Sequence, residues 1–177
     1  MPIQGEARLQ GKNTMTKFAN VRIAVAAGAC ALALIGQAAP AAENPRVAAE
    51  IMELARSQWA AEIAGQTIDE QMVSVADDYT EFNPTWPTRI DGKTLSARLD
   101  GAALANQGSR SIVGDMLNPK VQVYGDTAIL SYNFFGLEQD KDGKVKPTRA
   151  KSSRVYVKQG GQWMLVHANF GADPLPQ

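Results

Sequence analysis

The sequence predicts an α+β domain in which helices come first and a curved antiparallel sheet follows. Two observations carry that prediction. From Asn44 to about Ala103, apolar residues recur every three or four positions, the spacing of a helix face. From Asn118 to Phe170 the chain changes character. Four segments rich in β-branched and aromatic residues (Asn118–Tyr124, Thr127–Tyr132, Ser153–Lys158 and Gly160–Phe170) alternate with turn chemistry at Gly125-Asp126, Asp140-Lys141-Asp142-Gly143 and Gln159-Gly160-Gly161. These read as four antiparallel strands joined as a meander.

Taken in order, residues 1–42 read as a signal peptide. Lys17 and Arg22 precede an apolar run from Ile23 to Ile35, and the small-residue stretch through Pro40-Ala41-Ala42 closes it. The run is too short to span a bilayer comfortably. Cleavage is expected near Ala41 or Ala42, and Met15 is better placed than Met1 to open the signal. The expected location is therefore periplasmic or secreted, with no stable membrane insertion after cleavage. Cys30 is the single cysteine; the residues around it fit a lipoprotein site poorly, and cleavage after it leaves a chain with no thiol.

Residues 43–177 form one domain. Asn44-Pro45 is an N-cap followed by a first-turn proline. Val47, Ile51, Leu54, Ala55, Trp59 and Ile63 then make one apolar stripe ended by Gly65. Thr67 and Glu70 have capping-box spacing ahead of a short second helix carrying Ile68, Met72, Val73 and Val75. Asp78–Asn83 alternates as a strand, stopped by Pro84 and Pro87. A turn at Arg89–Lys93 leads to a third helix, capped by Thr94, with Leu95, Leu99, Ala102 and Ala103 on its inner side. Gln107–Arg110 is a loop into the meander.

Composition narrows the functional classes. The 177 residues carry 18 basic and 18 acidic side chains, so no basic footprint points to nucleic acid. Without residues 1–41 there remain 14 basic and 17 acidic side chains, a net charge of −3. The sequence contains no phosphate-cradling glycine loop, cysteine–histidine pair or nucleophile elbow, and no cofactor is expected.

Asn118-Pro119-x-Val121, Gly125-Asp126-x-Ala128, Arg154-Val155-Tyr156, Gly161-x-Trp163-x-x-Val166-His167 and Pro174, with Phe82-Asn83-Pro84 and Ile90-Asp91-Gly92 upstream, resemble a known pattern. It is that of the association (hub) domain of calcium/calmodulin-dependent protein kinase II and its bacterial stand-alone relatives, within the SnoaL-like, nuclear transport factor 2-like superfamily. The resemblance runs from about Val47 to Pro174. It implies a cone: a strongly curved antiparallel sheet with about three N-terminal helices, a cystatin-like roll, whose concave side encloses a pocket. It also implies self-association, as a homodimer or a larger ring. The superfamily contains isomerases, cyclases and dehydratases as well as noncatalytic binders, so fold alone does not fix function. Where hub relatives often carry further arginines and a second histidine, this chain has Phe134, Phe170 and Asn169, which implies a greasier, less cationic pocket.

The candidate site residues follow. Arg154, which alternates with Ser152 and Tyr156, is a candidate anchor for an anionic ligand, or else a partner for Asp77, Asp78 or Glu81. Trp59, Phe82, Trp86, Tyr132, Phe134, Tyr156, His167 and Asn169 complete the candidate ligand-binding set, an apolar lining with polar tips. The bland reading of the aromatics is core. His167, the only histidine, is a candidate general base; the stronger reading is a half-buried strand residue bonded to a neighbour. One histidine without a carboxylate motif is a poor metal ligand set. A noncatalytic binder of a small apolar or mono-anionic ligand is the leading expectation. The alternative is a SnoaL-like isomerase, cyclase or dehydratase acting on a small carbonyl compound, with His167 or Glu81 as base and Tyr79 or Tyr132 as donor. The apparent lack of an acid at the meander's apolar core positions argues against that alternative.

Overall fold

The computed structural model describes residues 44–106 and 108–173. The signal-like segment with Cys30, Ala41 and Ala42, and Pro174 at the other end, lie outside the described residues.

Helix α1 spans Pro45–Ile63, and the Asn44 side chain accepts from the Val47 amide at 3.1 Å. Its stripe of Val47, Ile51, Ala55 and Trp59 is buried. Side chains the size of Val47 and Ile51 each stabilise the fold by about 1.5–3 kcal/mol on burial. Helix α2 is a single turn, Ile68–Gln71, held by a complete capping box between Thr67 and Glu70. It is shorter than the periodicity suggests: Val73 is left exposed and Val75 already belongs to strand β1, Val75–Phe82.

The expected turn at Arg89–Lys93 contains a two-residue strand β2, Ile90–Asp91, paired with β1. Helix α3 follows at Lys93–Asn106, and β3 (Ser109–Tyr124), β4 (Thr127–Asp140), β5 (Val145–Gln159) and β6 (Gln162–Ala172) form the meander. The expected loop at Ser109-Arg110 is thus already strand.

The sheet is curved, open and mixed, in the order β2-β1-β6-β5-β4-β3. The expectation of a wholly antiparallel sheet is corrected at one seam, where β1 pairs with β6 in parallel. The chain reaches that position only after α3 and the whole meander have intervened, so local turn chemistry carries no sign of it. The β5–β6 hairpin turns on Gly160 (φ 58°) and Gly161 (φ 87°), both in the left-handed region that a two-residue type I′ turn requires.

The inner face of the sheet is set by alternation. Ala128, Leu130 and Tyr132 on β4, and Ser152, Arg154 and Tyr156 on β5, are all buried. On β6 the alternation breaks. Tyr156 pairs with Leu165 but Val155 pairs with His167, so Val166 is an extra, bulged residue. Inward positions are odd before it (Trp163, Leu165) and even after it (Ala168, Phe170). Strand β3 bulges twice, at Ile112 and at Asn118-Pro119, where Asn118 takes φ 51°. These insertions bend the long strands, and α1 packs on β3 while α3 packs on β1. Between the helices and the far part of the sheet a space remains unfilled.

Candidate functional site

That space is a cavity of about 380 Å³, walled by α1, α3 and the inner faces of β1 and β3–β6. One wall is aromatic. The Trp59 ring meets Tyr132 edge-on at 5.6 Å and Phe134 at 5.2 Å. Arg154 lies against this wall, 4% exposed, with its guanidinium carbon 5.7 Å from the Trp59 ring centre and 5.6 Å from that of Phe170. Such contacts suit a cation held away from water.

The bonds of Arg154 are to neutral groups. Its Nε donates to the Tyr132 hydroxyl at 3.0 Å and its Nη1 to Gln58 Oε1 at 2.6 Å. No carboxylate lies within 4 Å of it among the described residues, where the ion pairs are Arg89–Asp91 and Lys151–Asp173. The expected alternatives for pairing, Asp77 and Asp78, are exposed. Burial opposes the Arg154 charge, but the hydroxyls of Tyr132, Tyr156 and Tyr79 around it more than offset this and leave its pKa above the ordinary value. The guanidinium is therefore a charged group in a largely apolar wall.

Carboxylates line the same cavity. Glu81 on β1 is 5% exposed and faces inward, accepting from the Tyr79 hydroxyl at 2.8 Å and from Asn83 Nδ2 at 3.0 Å. Burial and the neighbouring Glu81 push the Tyr79 hydroxyl well above its usual pKa, so it acts as a donor. Asp100, on α3, accepts from Ser96 Oγ at 3.5 Å. Burial, with repulsion from Glu81, raises its pKa to about 6. Glu62 accepts from Ser111 Oγ at 2.7 Å, and Glu138 from Ser109 Oγ at 3.1 Å.

Among the residues singled out from sequence, Arg154, Trp59, Tyr132, Phe134, Glu81 and Tyr79 line this cavity together. Tyr156 faces the same way but is fully buried behind Arg154 as core. The other four lie elsewhere. His167 sits opposite Val155 on the outer sheet face, where its Nδ1 is 2.8 Å from Thr80 Oγ1 and its ring meets Phe82 edge-on. Phe82 is exposed on that same face, Asn169 is exposed further along β6, and Trp86 is exposed in the loop after β1. The bulge at Val166 is the reason: it puts His167 and Asn169 outside while keeping Leu165 and Phe170 inside.

Asp100, Glu62 and Gln58 line the cavity as well, without standing out in the sequence. Helix α3 turns Ser96, Asp100, Ala103 and Leu104 to the cavity, and Leu95, expected inside, is exposed. Its inner face mixes Ser96 and Asp100 with Ala103 and Leu104 because it covers a cavity rather than a dry core, so apolar periodicity finds Ala103 but not the polar half of that face. The signal available was Ser96-x-x-x-Asp100, two polar residues one turn apart on a helix otherwise rich in alanine and leucine.

Comparison with known proteins agrees with this architecture. The family described as calcium/calmodulin dependent protein kinase II association domain matches residues 47–174. The calcium/calmodulin-dependent protein kinase type II of Caenorhabditis briggsae is 26% identical over 128 residues, 69% of this chain but 24% of the kinase. The chain thus corresponds to about a quarter of that relative. A nuclear transport factor 2-like protein of unknown function from Pseudomonas putida superposes with a TM-score of 0.63 at 18% identity, over 76% of this chain and 92% of that one. The association domain of the Caenorhabditis elegans kinase superposes with a TM-score of 0.56 at 20% identity, over 72% and 97%. With the matching residues running from the stripe of α1 to the end of the sheet, the chain belongs to the calcium/calmodulin dependent protein kinase II association domain family.

Proposed function

We propose that this protein is an exported, self-associating binder of a small ligand that carries an anionic group, and that it acts without catalysis. One observation carries the ligand reading: Arg154 is buried at the wall of a 380 Å³ cavity with no carboxylate within 4 Å among the described residues. A buried cation costs several kcal/mol unless an opposite charge or good hydrogen bonds offset it. A ligand carboxylate supplies both, bidentately. The aromatic wall of Trp59, Tyr132 and Phe134 suits the ligand's apolar part. Membership of an association-domain family supports self-association, and the signal-like residues 1–42 support export to a periplasmic or extracellular location.

The test is native mass spectrometry and calorimetry on protein expressed from the full chain. Oligomers and millimolar or tighter binding of small carboxylates, lost in Arg154→Gln, are the expected result. A monomer at high concentration would refute self-association, and carboxylate binding unchanged by Arg154→Gln would refute the site.

A second reading, a proton-transferring enzyme acting on a small carbonyl compound, is favoured by one specific observation. Glu81 faces the cavity with the Tyr79 hydroxyl on it, and Asp100, its pKa raised to about 6, lines the same cavity. His167 has no place in that chemistry, being on the outer face. Turnover of a carbonyl substrate that disappears in Glu81→Gln and Asp100→Asn would establish this reading; no turnover across a carbonyl panel would remove it.

A further inference from the structure

The cavity holds its charges apart. Four carboxylates line it, Glu62, Glu81, Asp100 and Glu138, and two arginines, Arg149 and Arg154. The side-chain partners of five of them among the described residues are neutral: Ser111 for Glu62, Tyr79 and Asn83 for Glu81, Ser96 for Asp100, Ser109 for Glu138, and Tyr132 and Gln58 for Arg154. No ion pair within 4 Å links any acid of the cavity to either arginine among the described residues.

A fold that only needed to neutralise Arg154 would let Glu81, itself 5% exposed, pair with it. Here Glu81 is turned to Tyr79 and Asn83 instead. The lining therefore carries two more negative than positive charges, which disfavours a simple anion entering alone. A ligand with a carboxylate at one end and a cation at the other satisfies both sets. The carboxylate meets a guanidinium sunk in an apolar wall; the cation meets carboxylates whose remaining lone pairs are free. The cation is better served by an ammonium than by a metal ion, because no three metal-ligating side chains are grouped together among the described residues.

We infer that the cavity takes a small zwitterion, an amino acid or short ω-amino acid, with its carboxylate on Arg154 and its ammonium on Glu81 and Asp100. This rests on the binding reading of the same cavity and adds the ligand's second charge.

The experiment is calorimetry on protein expressed from the full chain, with three matched probe sets. These are ω-amino acids from β-alanine to ε-aminocaproate, the plain carboxylates from propanoate to hexanoate, and the amines from propylamine to hexylamine. At least one ω-amino acid should bind about tenfold or more tighter than its matched carboxylate and its matched amine. Asp100→Asn and Glu81→Gln should each shrink that preference while leaving the plain carboxylate bound as well or better. Arg154→Gln should lose both. Carboxylates that bind as tightly as the ω-amino acids would overturn the zwitterion inference and leave the anion site standing. If neither set binds, the binding function falls with it. The wild-type comparison needs no variant to fold.

Discussion

The Nε of Arg154 donates to the hydroxyl of Tyr132 at 3.0 Å, across neighbouring strands. Tyr132 thus holds the cation that the ligand is expected to meet, and the pair separates stability from binding. Tyr132→Phe removes the acceptor and leaves a buried N–H unpaired, at a cost of about 1–3 kcal/mol. Arg154→Met removes the charge and keeps much of the volume. Removing a buried charge that no carboxylate pairs relieves its desolvation, which offsets the loss of a donor at the Tyr132 hydroxyl and Gln58 Oε1. The expected outcome is a lower melting temperature for Tyr132→Phe and an unchanged or higher one for Arg154→Met, the latter with carboxylate binding abolished. A large destabilisation in Arg154→Met would show that the arginine is structural.

Asp100 gives the fold a pH dependence of definite sign. Its folded pKa of about 6 stands above the ordinary 3.8. Between those values the folded state keeps a proton that the unfolded chain has released, so stability falls as pH rises through the window. Above it the ionised carboxylate, facing Glu81 and Glu62, is a standing penalty of up to about 3 kcal/mol. Asp100→Asn should therefore melt higher than wild type at about pH 7.5 and the same at about pH 2.5, where both states are protonated. Equal melting temperatures at the higher pH would remove the penalty.

The inner face also has a tight point at Gly136. A Cβ there would stand 2.6 Å from Thr148 Oγ1 and 2.8 Å from the Phe134 ring. Both neighbours line the cavity. Gly136→Ala should displace the Phe134 ring into the ligand space and cost about 1–3 kcal/mol, the usual range for overpacking. Thermal denaturation alongside ligand titration reads both effects; full stability with unaltered binding would contradict the contact.

Ser152 offers the opposite case. Its hydroxyl is buried with no hydrogen-bond partner among the described residues. Ser152→Ala removes a desolvated polar group without opening much space, and should stabilise by about 1 kcal/mol. A drop in melting temperature would mean that the hydroxyl is bonded in solution.

His167 should be silent in ligand binding. Its imidazole touches Thr80 and Phe82 on the outer face, so His167→Gln should leave calorimetric affinity unchanged and lower stability by about 1 kcal/mol through the Thr80 bond. Loss of small-ligand binding in that variant would place the site on the other side of the sheet.

The contrast between Arg154 and His167 shows what the sequence makes legible. On β5, strict alternation through Ser152, Arg154 and Tyr156 needs no structural information, and the three share one buried face of the sheet. The α1 stripe with its Asn44 cap and the Gly160-Gly161 turn are legible in the same way. On β6 the alternation is interrupted at Val166, where nothing in the residue types marks an extra position. Helix α3 is read only in part, through Ala103, for a different reason: the wall of a polar cavity sets Ser96 and Asp100 beside its apolar residues, so Asp100 looks like a surface residue. The parallel seam between β1 and β6 is fixed by packing between segments far apart in sequence, beyond any local signal.

Val166 has one more consequence. Because it stands outside the ladder, deleting it would leave Leu165 and Ala168 facing inward and His167 facing outward as before. What would change is the bend of the strand, and with it the room beneath the helices. The capacity of the cavity is therefore written in how many backbone positions each strand carries as well as in the bulk of the side chains that line it. A one-residue insertion or deletion at a bulge is a route by which such a fold can resize its interior without altering the chemistry displayed there.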